Sequence, residues 1–79
     1  MASIDLSQYD PLEVAAAKDL PIGDLKACVE RELAMRKRVY PEWVARKKMS
    51  AQQAQKEIRR MLGVLIRIDE FEKNGLLSL

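Results

Sequence analysis

The sequence predicts an all-α fold, a short N-terminal helix followed by a long antiparallel helical hairpin that is bent at Pro41 and oligomeric. Three observations favour it. Apolar residues recur every three or four positions through 22–47 and 50–74. Cap residues, prolines and an Asn-Gly pair divide the chain into helix-length segments. The β-branched stretch 63–71 is the only strand candidate, and a lone strand would leave its backbone groups unpaired.

The predicted elements follow one another within a single domain, 1–79. Residues 1–9 are expected to form a flexible arm. The first helix is predicted over 10–18, because Asp10 has the features of an N-cap and Pro11 follows at the first helical position.

The second helix is predicted over 22–47, a segment rich in good helix formers. Pro41 disturbs it, because proline lacks a backbone N–H and disfavours the helical conformation for Tyr40. Two outcomes follow from this. The helix either kinks at Tyr40 and resumes, which we favour, or stops so that Pro41 begins a short new helix.

The last helix is predicted over 50–74. Ser50 is a suitable N-cap, and Gln53 three residues later completes a capping box. The Asn-Gly pair at 74 and 75 is a stop signal, and 75–79 would form an apolar tail. Gly63 lies inside this helix, where a close helix crossing would explain it.

The two long helices carry more apolar surface than a hairpin can bury. A second stripe beside the main one on each helix is therefore the candidate oligomer interface, made of Cys28, Met35, Val39, Val64 and Phe71. A homodimer is the favoured interpretation. The alternative is a monomeric three-helix bundle in which the N-terminal helix and the tail cover these residues. Cys28 has no histidine partner and lies on an apolar helix face, so we expect it to be a small buried apolar residue rather than a reactive thiol.

The composition argues against catalysis and metal binding. The chain has one cysteine and no histidine, so it has no intrachain disulfide, no usual general base and a poor ligand set for zinc. Its three glycines form no phosphate-binding loop. We therefore expect a non-enzymatic protein with no cofactor. The N-terminus lacks the features of a signal peptide, and the longest apolar run is four residues, which predicts a soluble, cytoplasmic protein with no membrane segment.

Charge is segregated along the chain. Residues 1–30 have a net charge of −4, residues 31–67 have eleven basic and three acidic residues for +8, and residues 68–79 have −2. The basic middle can attract phosphate or an acidic protein, pair with the chain's own acidic ends, or remain a solvated surface. Its candidate partner or phosphate contacts are Arg36, Lys37, Arg38, Arg46, Lys47, Lys48, Arg59 and Arg60.

The stretch RVYPEWV, residues 38–44, combines Tyr40, Trp43 and the proline between them. One interpretation is that the rings stack on bases beside the basic residues. The favoured interpretation is that both rings pack at the turn end of the hairpin, because Tyr40 and Val44 share the main apolar stripe.

Residues 30–58, ERELAMRKRVYPEWVARKKMSAQQAQKEI, resemble short phage- and prophage-encoded helical proteins with a pattern E-x-x-x-M-R-x-R-V-Y-P-x-W-V, then a basic turn ending in Met-Ser or Met-Thr, then A-x-x-E-I. The stretch VYPEWV is the most specific part of the match. The chain departs from the pattern at Lys47, where the resemblance leads us to expect glycine, and this departure would lengthen the helix end. The resemblance implies a phage or prophage origin and a helical fold, with no catalytic residues.

These features predict a phage accessory protein that binds a host or phage protein and modulates it, for example by inhibiting host defence or regulation, in the host cell cytoplasm. The phage origin is the only support for that specific role. The alternative function is nucleic-acid binding through the basic middle. A structural or assembly component also fits an oligomerising helix.

Overall fold

A computed structural model describes residues 4–74 of the chain. It contains a single 3-10 turn at Leu6–Gln8, then α1 (Pro11–Lys18), α2 (Ile22–Ala45) and α3 (Ala51–Lys73). Within residues 4–74 there is no strand, so the all-α prediction is confirmed. The 3-10 turn lies in the segment that was expected to be a flexible arm. The predicted apolar tail, 75–79, lies outside the described residues.

Local capping explains where two of the helices begin. The Asp10 side chain accepts a hydrogen bond from the backbone N–H of Leu12 (2.9 Å), with Pro11 at the first helical position. The Ser50 side chain accepts one from the N–H of Gln53 (3.0 Å). Each cap satisfies a backbone donor that has no partner inside the helix. Both predicted N-caps are thus confirmed.

Helix α2 continues through Pro41 and ends at Ala45, so the alternative in which the helix stops before Pro41 is excluded. The end lies two residues before the predicted one. The N–H of Lys47 donates to the carbonyl of Val44 (3.0 Å) and that of Lys48 to the carbonyl of Trp43 (2.9 Å). These two bonds form a Schellman motif, which closes the helix rather than lengthening it.

Lys47 completes this motif with a φ of 61°, in the left-handed region that favours glycine. This is the position at which the resemblance leads us to expect glycine.

We predict that Lys47→Gly raises the free energy of unfolding by about 1 kcal/mol, because glycine removes the clash of a Cβ in this conformation. Urea denaturation of the variant beside Lys48→Gly, at the adjacent position where φ is not positive, tests it. A Lys47→Gly protein no more stable than the wild type would contradict this.

The core is a seam between α2 and α3, which pack as an antiparallel hairpin. Within residues 4–74 the buried residues are Leu33 (6% exposed), Tyr40 (8%) and Ala54 (7%). Helix α1 is exposed along its length, apart from the half-buried Val14. Burial of three side chains is a small core even for a short domain. The fold therefore leaves much apolar surface open to solvent.

Two details of the expected packing are wrong. A Cβ built at Gly63 would meet nothing within 4 Å among the described residues, so no close helix crossing accounts for this glycine. The Trp43 side chain is 41% exposed, whereas Tyr40 beside it is buried. Of the two rings only Tyr40 is therefore part of the core, because the three-residue step to Trp43 turns that side chain about 60° away from Tyr40 around the helix.

Candidate binding surfaces

Arg36 links the two long helices on one side of the hairpin. Its Nε donates to Glu32 Oε1 (3.0 Å), and its Nη1 donates to the backbone carbonyl of Glu57 (3.1 Å) on α3. The Arg36 side chain is only 19% exposed. Arg36 was a candidate phosphate contact, but its guanidinium is used inside the hairpin, so we leave it out of the exposed binding surface.

The Arg36 bond also shows which sides of α2 and α3 lie together. Residues three, four or seven positions apart share a helix face. On α2 the surface comprises the apolar residues at this spacing from Glu32 or Arg36 that lie outside the seam. On α3 it comprises Val64, four residues after Arg60, which pairs with Glu57, and Phe71, seven residues after Val64. We call it the Arg36 face, and its members are Leu25, Cys28, Met35, Val39, Trp43, Val64 and Phe71.

The Arg36 face is open to solvent. Leu25, Cys28, Trp43 and Val64 are exposed, while Met35, Val39 and Phe71 are half-buried. The expectation that Cys28 is buried is therefore wrong. All five predicted interface residues lie on this one face. The spacing analysis had not assigned Leu25 and Trp43 to it, although their distance of seven residues from Glu32 and Arg36 was the available signal.

The opposite side of the hairpin, the Asp69 face, is held by an ion-pair network that sequence inspection did not identify. Lys26 Nζ donates to Asp69 Oδ1 (2.7 Å) and Glu72 Oε1 (3.2 Å), joining the first turns of α2 to the last turns of α3. These hydrogen bonds raise the pKa of Lys26. Hydrogen bonds from Lys26 and then Lys73 lower the pKa of Asp69. The charged forms on both sides are therefore favoured.

Apolar residues are exposed on the Asp69 face as well. Leu62 and Ile66 lie seven and three residues before Asp69 and are both exposed. They are one neighbouring pair on α3, whereas the Arg36 face carries apolar residues on both helices. Because scattered apolar side chains are normal on a protein surface, the larger Arg36 face is the stronger candidate for binding.

The predicted basic contacts divide into two groups. Three of the eight are paired within the chain: Arg36 with Glu32 at 3.0 Å, and Arg46 with Glu42 and Arg60 with Glu57 at 2.7 Å each. The remaining five are exposed and have no carboxylate partner among residues 4–74; they are Lys37, Arg38, Lys47, Lys48 and Arg59. All five lie in the half of the hairpin nearer its turn. We call these five residues the basic tip.

The two aromatic rings of RVYPEWV touch each other at this end of the hairpin. The Tyr40 and Trp43 ring centroids are 5.5 Å apart with planes inclined by 33°. Such tilted pairs add to the energy of burial alone. Tyr40 anchors the pair in the core, and Trp43 forms the tip-side end of the Arg36 face.

Residues 4–74 contain no group of three or more His, Cys, Asp or Glu side chains placed to hold a metal ion. None of the helices in this range has the length and apolarity needed to cross a membrane.

An apolar surface pocket lies at the N-terminal end between the 3-10 turn and α1, lined partly by Leu6, Tyr9 and Val14.

Comparison of the chain with models of known protein families, with curated proteins and with solved structures gave no match.

Proposed function

We propose that this chain is a non-enzymatic binding protein that docks onto another protein through the Arg36 face. The observation that carries the proposal is the balance of apolar surface. Among residues 4–74 three residues are buried, whereas ten large apolar side chains are exposed. Three of the ten, Leu25, Trp43 and Val64, lie on the Arg36 face beside the half-buried Met35, Val39 and Phe71. Apolar surface supplied by both helices of a hairpin is typical of a protein–protein contact.

The apolar residues would supply most of the affinity and the basic tip would guide the encounter. Fully burying a Val, Leu, Met or Phe side chain contributes about 1.5–3 kcal/mol. An exposed ion pair contributes only about 0–1 kcal/mol. The five unpaired cations of the basic tip therefore favour an acidic partner and a faster association more than a tighter complex.

The proposal extends to assembly and to the shape of α2. We place self-association on the same face, because it includes all five residues of the predicted oligomer interface.

We also propose that α2 bends at Pro41, since proline removes one helical hydrogen bond and its ring crowds the preceding turn. Such a bend would turn the part of the Arg36 face nearer the basic tip relative to the part nearer the open end of the hairpin.

The biological setting of the proposal comes from the resemblance of residues 30–58 to phage-encoded proteins. We propose that the partner is a host or phage protein and that binding modulates it, with inhibition of host defence or regulation as one form. The site of action is then the host cytoplasm. No residue of the chain identifies the partner, so this part depends on the resemblance alone.

A second candidate function is nucleic-acid binding through the basic tip. One observation favours it. The five cations of the basic tip are exposed and have no carboxylate partner among residues 4–74, and the exposed ring of Trp43 lies at the same end of the hairpin. Cations along a phosphate backbone with an adjacent stacking ring are typical of single-strand binding. Such binding would leave the apolar residues of α3 without a role, which is why we rank it second.

The test is a capture experiment with immobilised chain and a bacterial lysate, with and without nuclease. We expect captured protein to survive nuclease treatment and to be lost from Val64→Glu, which places a charge on the Arg36 face. Ile66→Glu is the matched control, because Ile66 lies on the Asp69 face of the same helix with nearly the same exposure, 48% against 45% for Val64.

Salt dependence separates the two functions. Binding dominated by phosphate contacts weakens steeply as salt rises, whereas apolar docking does not. Capture that disappears with nuclease, or that Lys47→Ala with Lys48→Ala abolishes while Val64→Glu leaves it intact, would favour the nucleic-acid function instead.

A further inference from the structure

We infer that the Arg36 face is occupied by a second copy of this chain, packed in antiparallel orientation to form a four-helix bundle. The inference rests on the proposed function, because it names the first partner of the face proposed to bind protein. Three features of the described chain carry it: the size of the face, the thin core, and the distribution of charge along the hairpin.

The face is large enough for a dimer. With 24 residues in α2 and 23 in α3, the hairpin is about 35 Å long at 1.5 Å per residue. Two packed helices make it about 20 Å wide, which gives a flat footprint of roughly 700 Å². Stable protein–protein interfaces bury about 800 Å² on each partner. A contact along the whole length of the hairpin falls within the range of about 600–1,000 Å² per partner that such interfaces bury.

The thin core gives a reason for the second copy. The seam between the two helices buries three residues, Leu33, Tyr40 and Ala54. It leaves Met35, Val39 and Phe71 only half-buried. Two such hairpins placed face to face enclose these side chains in a central layer, as in other four-helix bundles. The contact is the same surface on both copies, as a twofold axis requires.

The charge distribution selects the orientation. The hairpin fold places residues 34–62, with nine basic and two acidic residues and a net charge of +7, in the half nearer the turn. The open half holds 22–33 and 63–74, which together have four basic and six acidic residues, a net charge of −2. Residues 4–21, joined to that end, add −3. Parallel packing would bring two strongly basic halves together, whereas antiparallel packing lays each basic half beside an acidic end.

The first test is the mass of the full chain in solution. We expect light scattering to give a dimer mass for the wild type at tens of micromolar. Val64→Glu should weaken the dimer at least about a hundredfold, because it buries an unpaired carboxylate in each copy. Ile66→Glu should remain dimeric. Circular dichroism of both variants shows whether each is still helical, so that loss of the dimer is not confused with unfolding.

The second test is the orientation. A spin label on Lys48→Cys, in a Cys28→Ser background confirmed to be dimeric, marks the turn end of each copy. In the antiparallel dimer the two labels should be roughly 35 Å apart, and in a parallel dimer below about 20 Å. Raising the salt concentration should weaken the antiparallel dimer, since it screens attraction between opposite charges. A short distance, or a dimer strengthened by salt, would overturn the orientation.

The outcomes keep this inference separate from the proposed function. A wild-type chain that is monomeric at hundreds of micromolar, or a dimer that survives Val64→Glu, removes the second copy from the Arg36 face. A dimer that dissociates when nuclease is added would assign the association to nucleic acid and also overturn the inference. If the wild type is monomeric but Val64→Glu still abolishes protein capture, the proposed docking onto another protein stands, and the self-association proposed for the same face is overturned with the dimer.

Discussion

Replacing Tyr40 by alanine should lower the free energy of unfolding by about 3–5 kcal/mol, the usual cost of emptying a large buried aromatic position. Tyr40 is 8% exposed, and it is one of the three buried residues of the seam between α2 and α3 in the described chain. A domain of this size has roughly 4–12 kcal/mol of stability in total. The variant should therefore be largely unfolded at 37 °C, as measured by circular dichroism during thermal denaturation.

Trp43→Ala is the control for this prediction. The two rings are in contact, but Trp43 is 41% exposed, so its removal leaves a smaller cavity and should cost about 1–2 kcal/mol. Both proteins must be compared at the same concentration, because association contributes to apparent stability. If Trp43→Ala proved the more damaging of the two, the packing of the turn end described above would be wrong.

Arg36→Ala should lower the free energy of unfolding by about 1–2 kcal/mol. The substitution removes a half-buried guanidinium that donates to Glu32 and to the Glu57 carbonyl, and hydrogen bonds from charged groups contribute about 1.5–3 kcal/mol. Partial solvent access reduces that value, since water can replace some of the lost contacts. Chemical denaturation with urea measures the change.

Arg46→Ala removes the same side chain where it forms only an exposed pair with Glu42, within one helix. It should change stability by less than about 0.5 kcal/mol, as exposed ion pairs usually do. Equal effects of the two substitutions would show that the link between α2 and α3 through Arg36 contributes no more than a surface pair.

The sequence predicted the helices well because their signals are local. Asp10 and Ser50 cap helices with their own side chains, and a residue's neighbours within four positions decide whether such a cap forms. The end of α2 was placed two residues too late for a reason that is also local. A Schellman motif with lysine in the left-handed position is uncommon, and the absence of glycine at Lys47 concealed it.

The binding surface was predicted less completely. Apolar periodicity identified Met35 and Val39 as a surplus stripe, because a stripe depends only on the 100° step between residues. It did not show that Cys28 is exposed, since several registers of two helices are compatible with the same stripes. Burial depends on which helix side faces its neighbour, and that is a contact between residues distant in the chain.

The sequence by itself determined that this chain is helical, where two of its helices begin, and how charge is divided between its middle and its ends. Each of these properties depends on side-chain chemistry within a turn or on simple order along the chain. The tertiary structure decided that Arg36 joins α2 to α3, that Lys26 joins Asp69 and Glu72, and that Tyr40 rather than Trp43 is buried. These contacts span up to 46 residues, and only the packing register of the two helices brings their partners together.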